Sequence, residues 1–218
     1  GSNNIALGTF AGGNTGIGSG NAYLGYDAGA NNKSGSNNVF LGTNAGYNSG
    51  LYGANTANNI FVGTSTGFFN QGSYNTYLGV LAGYRNYSGS FNTYLGYAAG
   101  YSLQTLVGSP YTASDGTFSS NTMVGYYAGY GLYSGSNNVI MGYQAGYTTA
   151  YTASGNSIYI GYQAKPGQLY SDNEIVIGYT GSGAGSHTTT IGNKSTTTTI
   201  LYGRTKVTGS TAVLNLHP

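Results

Sequence analysis

The sequence predicts an all-β protein, a parallel β-solenoid (β-roll) built from repeats of about 17 residues. Three observations lead there. The stretch GSNNVFLGTNAGY at 35–47 returns as GSNNVIMGYQAGY at 135–147, glycine supplies 40 of 218 residues, and an aliphatic residue precedes each recurring glycine. A repeat this short has no room for a pair of helices, and glycine at this density costs a helix heavily.

The recurring glycines are Gly8, Gly25, Gly42, Gly63, Gly79, Gly96, Gly125, Gly142, Gly161 and Gly178. The step between neighbours is nearly constant, and it lengthens most after Gly42 and Gly96, where insertions lie. Two shorter, degenerate units follow at Gly192 and Gly203. The residue before each of the ten glycines is aliphatic, from Leu7 to Ile177, and the residue two places earlier shares its face in a strand of period two. Alanine or threonine stands three places after the glycine, from Ala11 to Ala164. Each unit therefore reads as two short strands joined at glycine, with the aliphatic and alanine columns facing inward. Asparagine stands four places before the glycine in eight units, from Asn4 to Asn138, with Ser157 and Glu174 as exceptions. Asparagine accepts turn geometry, and stacked amides bond up a ladder, so this column marks a structural corner.

On this reading the residue between the two inward aliphatics points outward. That column contains Tyr23, Phe40, Phe61, Tyr77, Tyr94, Met123, Ile140 and Tyr159. A continuous outward stripe of such residues predicts an oligomer interface. Further tyrosines follow the glycine (Tyr26, Tyr97, Tyr126, Tyr143, Tyr162, Tyr179) or the alanine-glycine pair (Tyr47, Tyr84, Tyr101, Tyr130, Tyr147), and these predict stacking from rung to rung.

Composition narrows the function. Charged residues make up only 5%, against about a quarter in ordinary domains, while aromatics reach 14%, which argues for order rather than disorder. Six basic and four acidic residues are scattered singly, leaving no basic stripe for a nucleic-acid backbone. There is no cysteine, and no apolar run approaches the roughly 20 residues of a membrane-spanning helix. The opening GSNN already matches the repeat, so the chain reads as part of something longer.

Catalytic chemistry finds no support. Of Asp27, Asp115, Asp172 and Glu174, only the last two are close in sequence, and they alternate across a strand edge instead of sharing a cleft. A calcium site on that pair is weighed against a solvated turn, and the turn is preferred. His187 and His217 lack cysteine or nearby acidic residues, and no phosphate-binding glycine loop occurs. The expectation is a protein that is not an enzyme and uses neither metal nor cofactor.

Units such as NNVFLGTNAG, NTYLGYAAG and NNVIMGYQAG resemble the head repeats of trimeric autotransporter adhesins of the YadA type, and the similar repeats of phage and viral tail fibres. The resemblance covers residues 3–180. It implies a left-handed roll, three identical chains side by side, an extracellular location on a bacterial surface or virion, and a host-surface receptor. An intertwined triple β-helix is the alternative assembly. The adhesin unit is usually shorter than the one here, and residues 181–218 look like degenerate repeats leading into a stalk or further fibre segment.

Insertions on a rigid scaffold often carry function. The largest, residues 102–120, supplies Tyr111, Asp115 and Phe118 as candidate receptor contacts, and the shorter one at 49–58 supplies Tyr52. The expected partner is a cell-surface glycan or protein. A structural spacer presenting a separate tip is the second reading. An ice-binding solenoid is the weakest, because Thr188–Thr190 and Thr196–Thr199 run along the chain instead of stacking between rungs.

Overall fold

A computed structural model describes residues 1–51, 56–102, 118–149 and 152–200. Among these residues there is no helix, and the main element is one sheet of eleven parallel strands. Its members are β1 (Ile5–Leu7), β2 (Ala22–Leu24), β3 (Val39–Leu41), β4 (Ile60–Val62), β5 (Thr76–Leu78), β6 (Thr93–Leu95), β7 (Thr122–Val124), β9 (Val139–Met141), β11 (Ile158–Ile160), β13 (Ile175–Ile177) and β14 (Thr189–Ile191). A second parallel sheet joins β8 (Leu132–Ser134), β10 (Thr152–Gly155) and β12 (Tyr170–Asp172). The protein is a β-solenoid of about ten turns. Ten spacings of about 4.8 Å make the main sheet roughly 48 Å long. The sheet continues past position 180 through β14, which includes the rung at Gly192. The expected unit at Gly203 lies outside the described residues.

In the eleven-stranded sheet register is kept residue for residue, whereas the smaller sheet shifts register between Thr152 and Ala153. Phe40 pairs with Phe61, Phe61 with Tyr77, and Tyr77 with Tyr94, so each column of the sequence is a column in space. The faces, however, are the reverse of those expected. Tyr23, Phe40, Phe61, Tyr77, Tyr94, Met123, Ile140 and Tyr159 are fully buried inside their own chain, and none is available as an oligomer interface. The aliphatics on either side of them point outward, with Leu7, Leu24 and Leu95 all exposed. A three-residue strand puts either one side chain or two inside, and here volume decides. The opposite wall is alanine (Ala28, Ala45, Ala82, Ala99), which leaves space for one flat ring per rung. Those rings stack at the strand spacing: Phe40 on Phe61 at 4.8 Å, Phe61 on Tyr77 at 4.8 Å and Tyr77 on Tyr94 at 4.7 Å, all within 6° of parallel.

The expected second strand is a run of turns. Leu81, two places after Gly79, has φ 60°, and Gly83 has φ 59°, both incompatible with extended backbone. Hydrogen bonds alternate accordingly. Ala82 N–H donates to Gly79 within the rung (3.3 Å), whereas Gly83 N–H donates to Ala99 in the next (2.9 Å). Gly83 has a second constraint, since a methyl group there would lie 2.4 Å from the Tyr77 ring. The glycine is thus the floor on which the core aromatic rests.

The asparagine corner is the ladder expected from the sequence. Asn21 Oδ1 accepts both the backbone N–H (2.9 Å) and the side-chain amide (3.1 Å) of Asn38, whose Oδ1 serves Asn59 in the same way. The pattern passes from Asn75 to Asn92, Asn121 and Asn138, and Ser157 N–H then donates to Asn138 Oδ1 at 3.0 Å. A second set of buried asparagines, not anticipated from the sequence, holds the core phenols. Asn32 Nδ2 donates to the Tyr23 hydroxyl at 2.7 Å, and Asn86 Nδ2 donates to that of Tyr77.

Burial raises the phenols of Tyr23, Tyr77 and Tyr94, and pushes that of Tyr159 up to about 12. The unfolded chain ionises its tyrosines near pH 10, while the folded chain keeps these protonated, so the folded state binds more protons above that pH. Stability is therefore complete below about pH 10 and declines between about pH 10 and 12. Denaturant titrations across that range should show the decline, and Tyr159→Phe should make it shallower; a flat profile from pH 9 to 12 contradicts the assignment. Gly83→Ala should cost about 2–4 kcal/mol, combining left-handed backbone strain with overpacking of the Tyr77 ring. Gly155→Ala, whose φ is not positive and whose nearest neighbour is the Asp172 side chain, should cost much less in the same melting experiment.

Candidate ligand-binding face

The residues after each strand build a lateral face of the rod from three columns. One place after the glycine, Tyr97, Tyr126, Tyr143, Tyr162 and Tyr179 form a continuous exposed stack with centroids 5.2 Å apart and rings within 14° of parallel. Five places after the glycine, Tyr47, Phe68, Tyr84, Tyr101, Tyr130 and Tyr147 form a second stack at 4.9–5.3 Å. Rung-to-rung stacking, expected from the sequence for these tyrosines, is what the structure has except at Tyr26, whose ring meets Phe10 edge-on at 6.3 Å and 78°. The guanidinium of Arg85 lies 5.9 Å from the rings of both Tyr84 and Tyr101, within cation–π range.

Between the stacks runs the column two places after the glycine: Phe10, Asp27, Asn44, Ser65, Leu81, Ala98, Tyr127, Gln144, Gln163 and Thr180. All of them have positive φ, so the local turn geometry aims this column the same way in every rung. Tyr127 fills the space between the stacks, with its ring 4.3 Å from Tyr126 and 4.8 Å from Tyr130. Its phenol is raised, first by its hydrogen bond with Tyr126, and the phenol of Tyr97 is raised first by the neighbouring Tyr127. On either side of this plug lie clefts. One of about 220 Å³ is lined by Gln144, Tyr147, Gln163, Lys165 and Thr180, with Gln163 Nε2 donating to Gln144 Oε1 at 2.7 Å. The other, of about 340 Å³, lies near the N-terminus around Tyr26, Asp27 and Tyr47.

The candidate receptor residues fare differently. Tyr52, Tyr111 and Asp115 lie outside the described residues. Phe118 belongs to the buried core, and its carbonyl accepts the side-chain amide of Asn92. It ends the insertion by re-entering the rung, so it is a core residue and not a surface contact.

Glu174 is the largest departure in this region. It is wholly buried and occupies the asparagine corner, where a solvated turn was expected. Its Oε1 accepts the Gly185 N–H at 2.7 Å, and its Oε2 accepts the Tyr159 hydroxyl at 3.1 Å and the Gly167 N–H at 3.3 Å. Asp172 is exposed and accepts instead from Asn156 Nδ2 at 2.9 Å. The two carboxylates do not converge: the Glu174 oxygens are engaged by the Gly185 and Gly167 N–H groups and the Tyr159 hydroxyl, while Asp172 is exposed. Among the described residues, no three His, Asp or Glu side chains come together. His187 Nδ1 lies 3.2 Å from Asn173 Nδ2, and His217 lies outside the described residues. Sequence reasoning missed Glu174 because a lone acidic residue in an asparagine column looks like a turn residue. The signal available was the column itself, which is buried in the preceding rungs at Asn138 and Ser157.

No known family, curated protein or solved structure matches the chain. What the fold and the lateral face define is a class, a β-solenoid repeat protein with aromatic columns along one side.

Replacing Glu174 by alanine leaves the Gly185 N–H, the Gly167 N–H and the Tyr159 hydroxyl without their acceptor. The expected loss is about 2–4 kcal/mol in a denaturant titration, with faster amide exchange at Gly185. A change below about 0.5 kcal/mol means that the carboxylate does not hold this end of the solenoid.

Proposed function

We propose that the chain is a segment of a fibrous surface-attachment protein, an adhesin or a phage or viral tail fibre. In this reading it works outside the cell as a homotrimer of left-handed rolls. The observation that carries the proposal is the outer face of the eleven-stranded sheet. Its first and third strand positions contain no charged residue, and the third is aliphatic in all eleven strands, from Leu7 to Ile191. Several members are open to solvent in the single chain, including Ile5, Leu7, Leu24, Ile60, Leu95 and Met141.

A strip about 10 Å wide and roughly 48 Å long presents on the order of 500 Å² of mostly apolar surface, as large as the biggest patches that ordinary monomers leave open. In a closed ring of three chains each strip is buried once, half against each neighbour, which comes to about 1,500 Å² over the whole assembly. The two columns differ, since the first includes Thr76, Thr93 and Thr122 and the third has no polar residue. Such an edge favours column one of one chain against column three of the next, a heterologous contact that closes into a ring of parallel chains. Three slender rods around an axis give a stiff fibre, and the lateral columns remain outside as the surface offered to a receptor. The uninterrupted register supports the spacer alternative equally well, and attachment itself separates the two.

Light scattering should give three times the 22.3 kDa chain mass for the parent, and the monomer mass for Leu24→Glu/Leu95→Glu, with the strand signal kept. A parent that stays monomeric at micromolar concentration overturns the assembly. Beads coated with the chain should attach to cells. Deleting residues 105–116, which shortens the Gly96–Gly125 step to match that of Gly79–Gly96, tests the large insertion as the contact. Attachment unchanged by the deletion removes the insertion from the binding surface, and no attachment to any cell type leaves only a spacer.

A further inference from the structure

We infer that the N-terminal cleft of the lateral face is a saccharide subsite, one that takes neutral or amino hexopyranoses and rejects acidic sugars. The inference deepens the attachment reading by naming the chemistry of a partner, and it places that chemistry on the regular rungs and not on an insertion. It starts from what a stack of rings can offer. In the run from Tyr97 to Tyr179 each inner ring has a neighbour on both faces, so the stack shows solvent only edges and hydroxyls. A sugar packs its C–H groups on the face of a ring, and there the faces are already used.

At the N-terminal end the columns are broken, and ring faces become free. Tyr26 stands between Thr9 and Thr43 in its column, and among the described residues its one ring contact is the edge of Phe10 at 6.3 Å and 78°. Tyr47 stacks on Phe68 at 4.9 Å on one side, but in the preceding two rungs its column holds Ala30 and Gly13. The two missing rings are the origin of the cleft of about 340 Å³, and Tyr26 and Tyr47 are among its walls.

The polar groups suit the same ligand. Asp27 lines the cleft, and its carboxylate has no side-chain partner among the described residues. Asn14 Nδ2 donates to Asn31 Oδ1 at 2.8 Å, and Asn31 Nδ2 to Asn48 Oδ1 at 2.9 Å, which fixes the orientation of these amides. That ladder leaves Asn14 Oδ1 as an open acceptor at the rim. A carboxylate and an amide oxygen accept from sugar hydroxyls or an ammonium group, and no lysine or arginine lines the cleft to receive an anion. A uronate would set a second negative charge against Asp27. Aromatic faces with a few convergent acceptors are what a small polar ring with apolar C–H faces requires.

The test is titration of the full chain with cello-oligosaccharides, chito-oligosaccharides and oligogalacturonate, followed by calorimetry and by NMR of the tyrosine rings. Saturable binding of at least one of the first two is expected, with none of oligogalacturonate. Tyr47→Ala and Asp27→Ala should each weaken it at least tenfold, whereas Tyr143→Ala on the distal stack should leave it within twofold. Asp27→Asn should admit oligogalacturonate, a gain that a merely destabilised variant does not produce. Absence of saturable binding by any of the three sugars at millimolar concentration overturns the inference, as does binding that Tyr47→Ala and Asp27→Ala leave unchanged. Cell attachment measured in parallel separates the two readings. Attachment by a chain that binds no sugar overturns the subsite alone, and sugar binding without attachment upholds the subsite while removing the adhesive role.

Discussion

Every layer of this protein depends on one distance, the spacing between parallel strands set by their backbone hydrogen bonds. Thr76 N–H reaches Asn92 at 2.8 Å and Gly79 N–H reaches Val62 at 2.8 Å, and the same bonds recur from rung to rung. A strand spacing of about 4.8 Å suits stacked aromatic rings and bonded carboxamides alike. A core whose rings stack from Phe40 to Tyr94 and a corner whose asparagines ladder from Asn4 to Asn138 are therefore consistent with the backbone and with each other. That agreement lets a chain with 5% charged residues and strands of three or four residues hold one register through its eleven-stranded sheet.

The same dependence explains the glycines. A rung closes within so short a repeat only if the backbone turns sharply beside the core ring, and Gly83 has to approach Tyr77 where a side chain would collide. Non-glycine residues such as Leu81 and Tyr127 accept the left-handed conformation two places after the repeat glycine, at a cost on the order of 1–2 kcal/mol each. The ladders above and below fix the backbone at these points, and so the strain is spread along a column in which each rung supports the next.

Much of this was legible in the sequence, because a short period with near-constant column chemistry has few solutions. The parallel solenoid, the asparagine corner, the inward alanine and the tyrosine stacks all follow from it. The choice of inner face was not legible from alternation. Period two says that Val39 and Leu41 share one side and Phe40 takes the other, but not which side is closed. The deciding quantity is volume, and it was written elsewhere in the repeat: an alanine wall with a glycine floor fits one ring and not two branched aliphatics. Asn32, Asn86 and Glu174 were missed for a related reason. They belong to phenols that a sequence reading had placed outside, and a buried partner is visible only once the phenol is known to be buried.

Burial of the aromatic column changes which surfaces of the rod face solvent. An outward aromatic stripe would have served as the interface between chains. With that stripe inside, the surfaces left open are the aliphatic face of the sheet and the exposed tyrosines of the lateral face. Perfect repetition works against ligand contact, since a ring stacked on both sides has given its faces to its own neighbours. The chemistry available to a ligand is therefore greatest where a column lapses, at Gly13 and Ala30 before Tyr47, or at Thr9 and Thr43 around Tyr26. In a protein of ladders, the faults in the ladder are the sites with open surface.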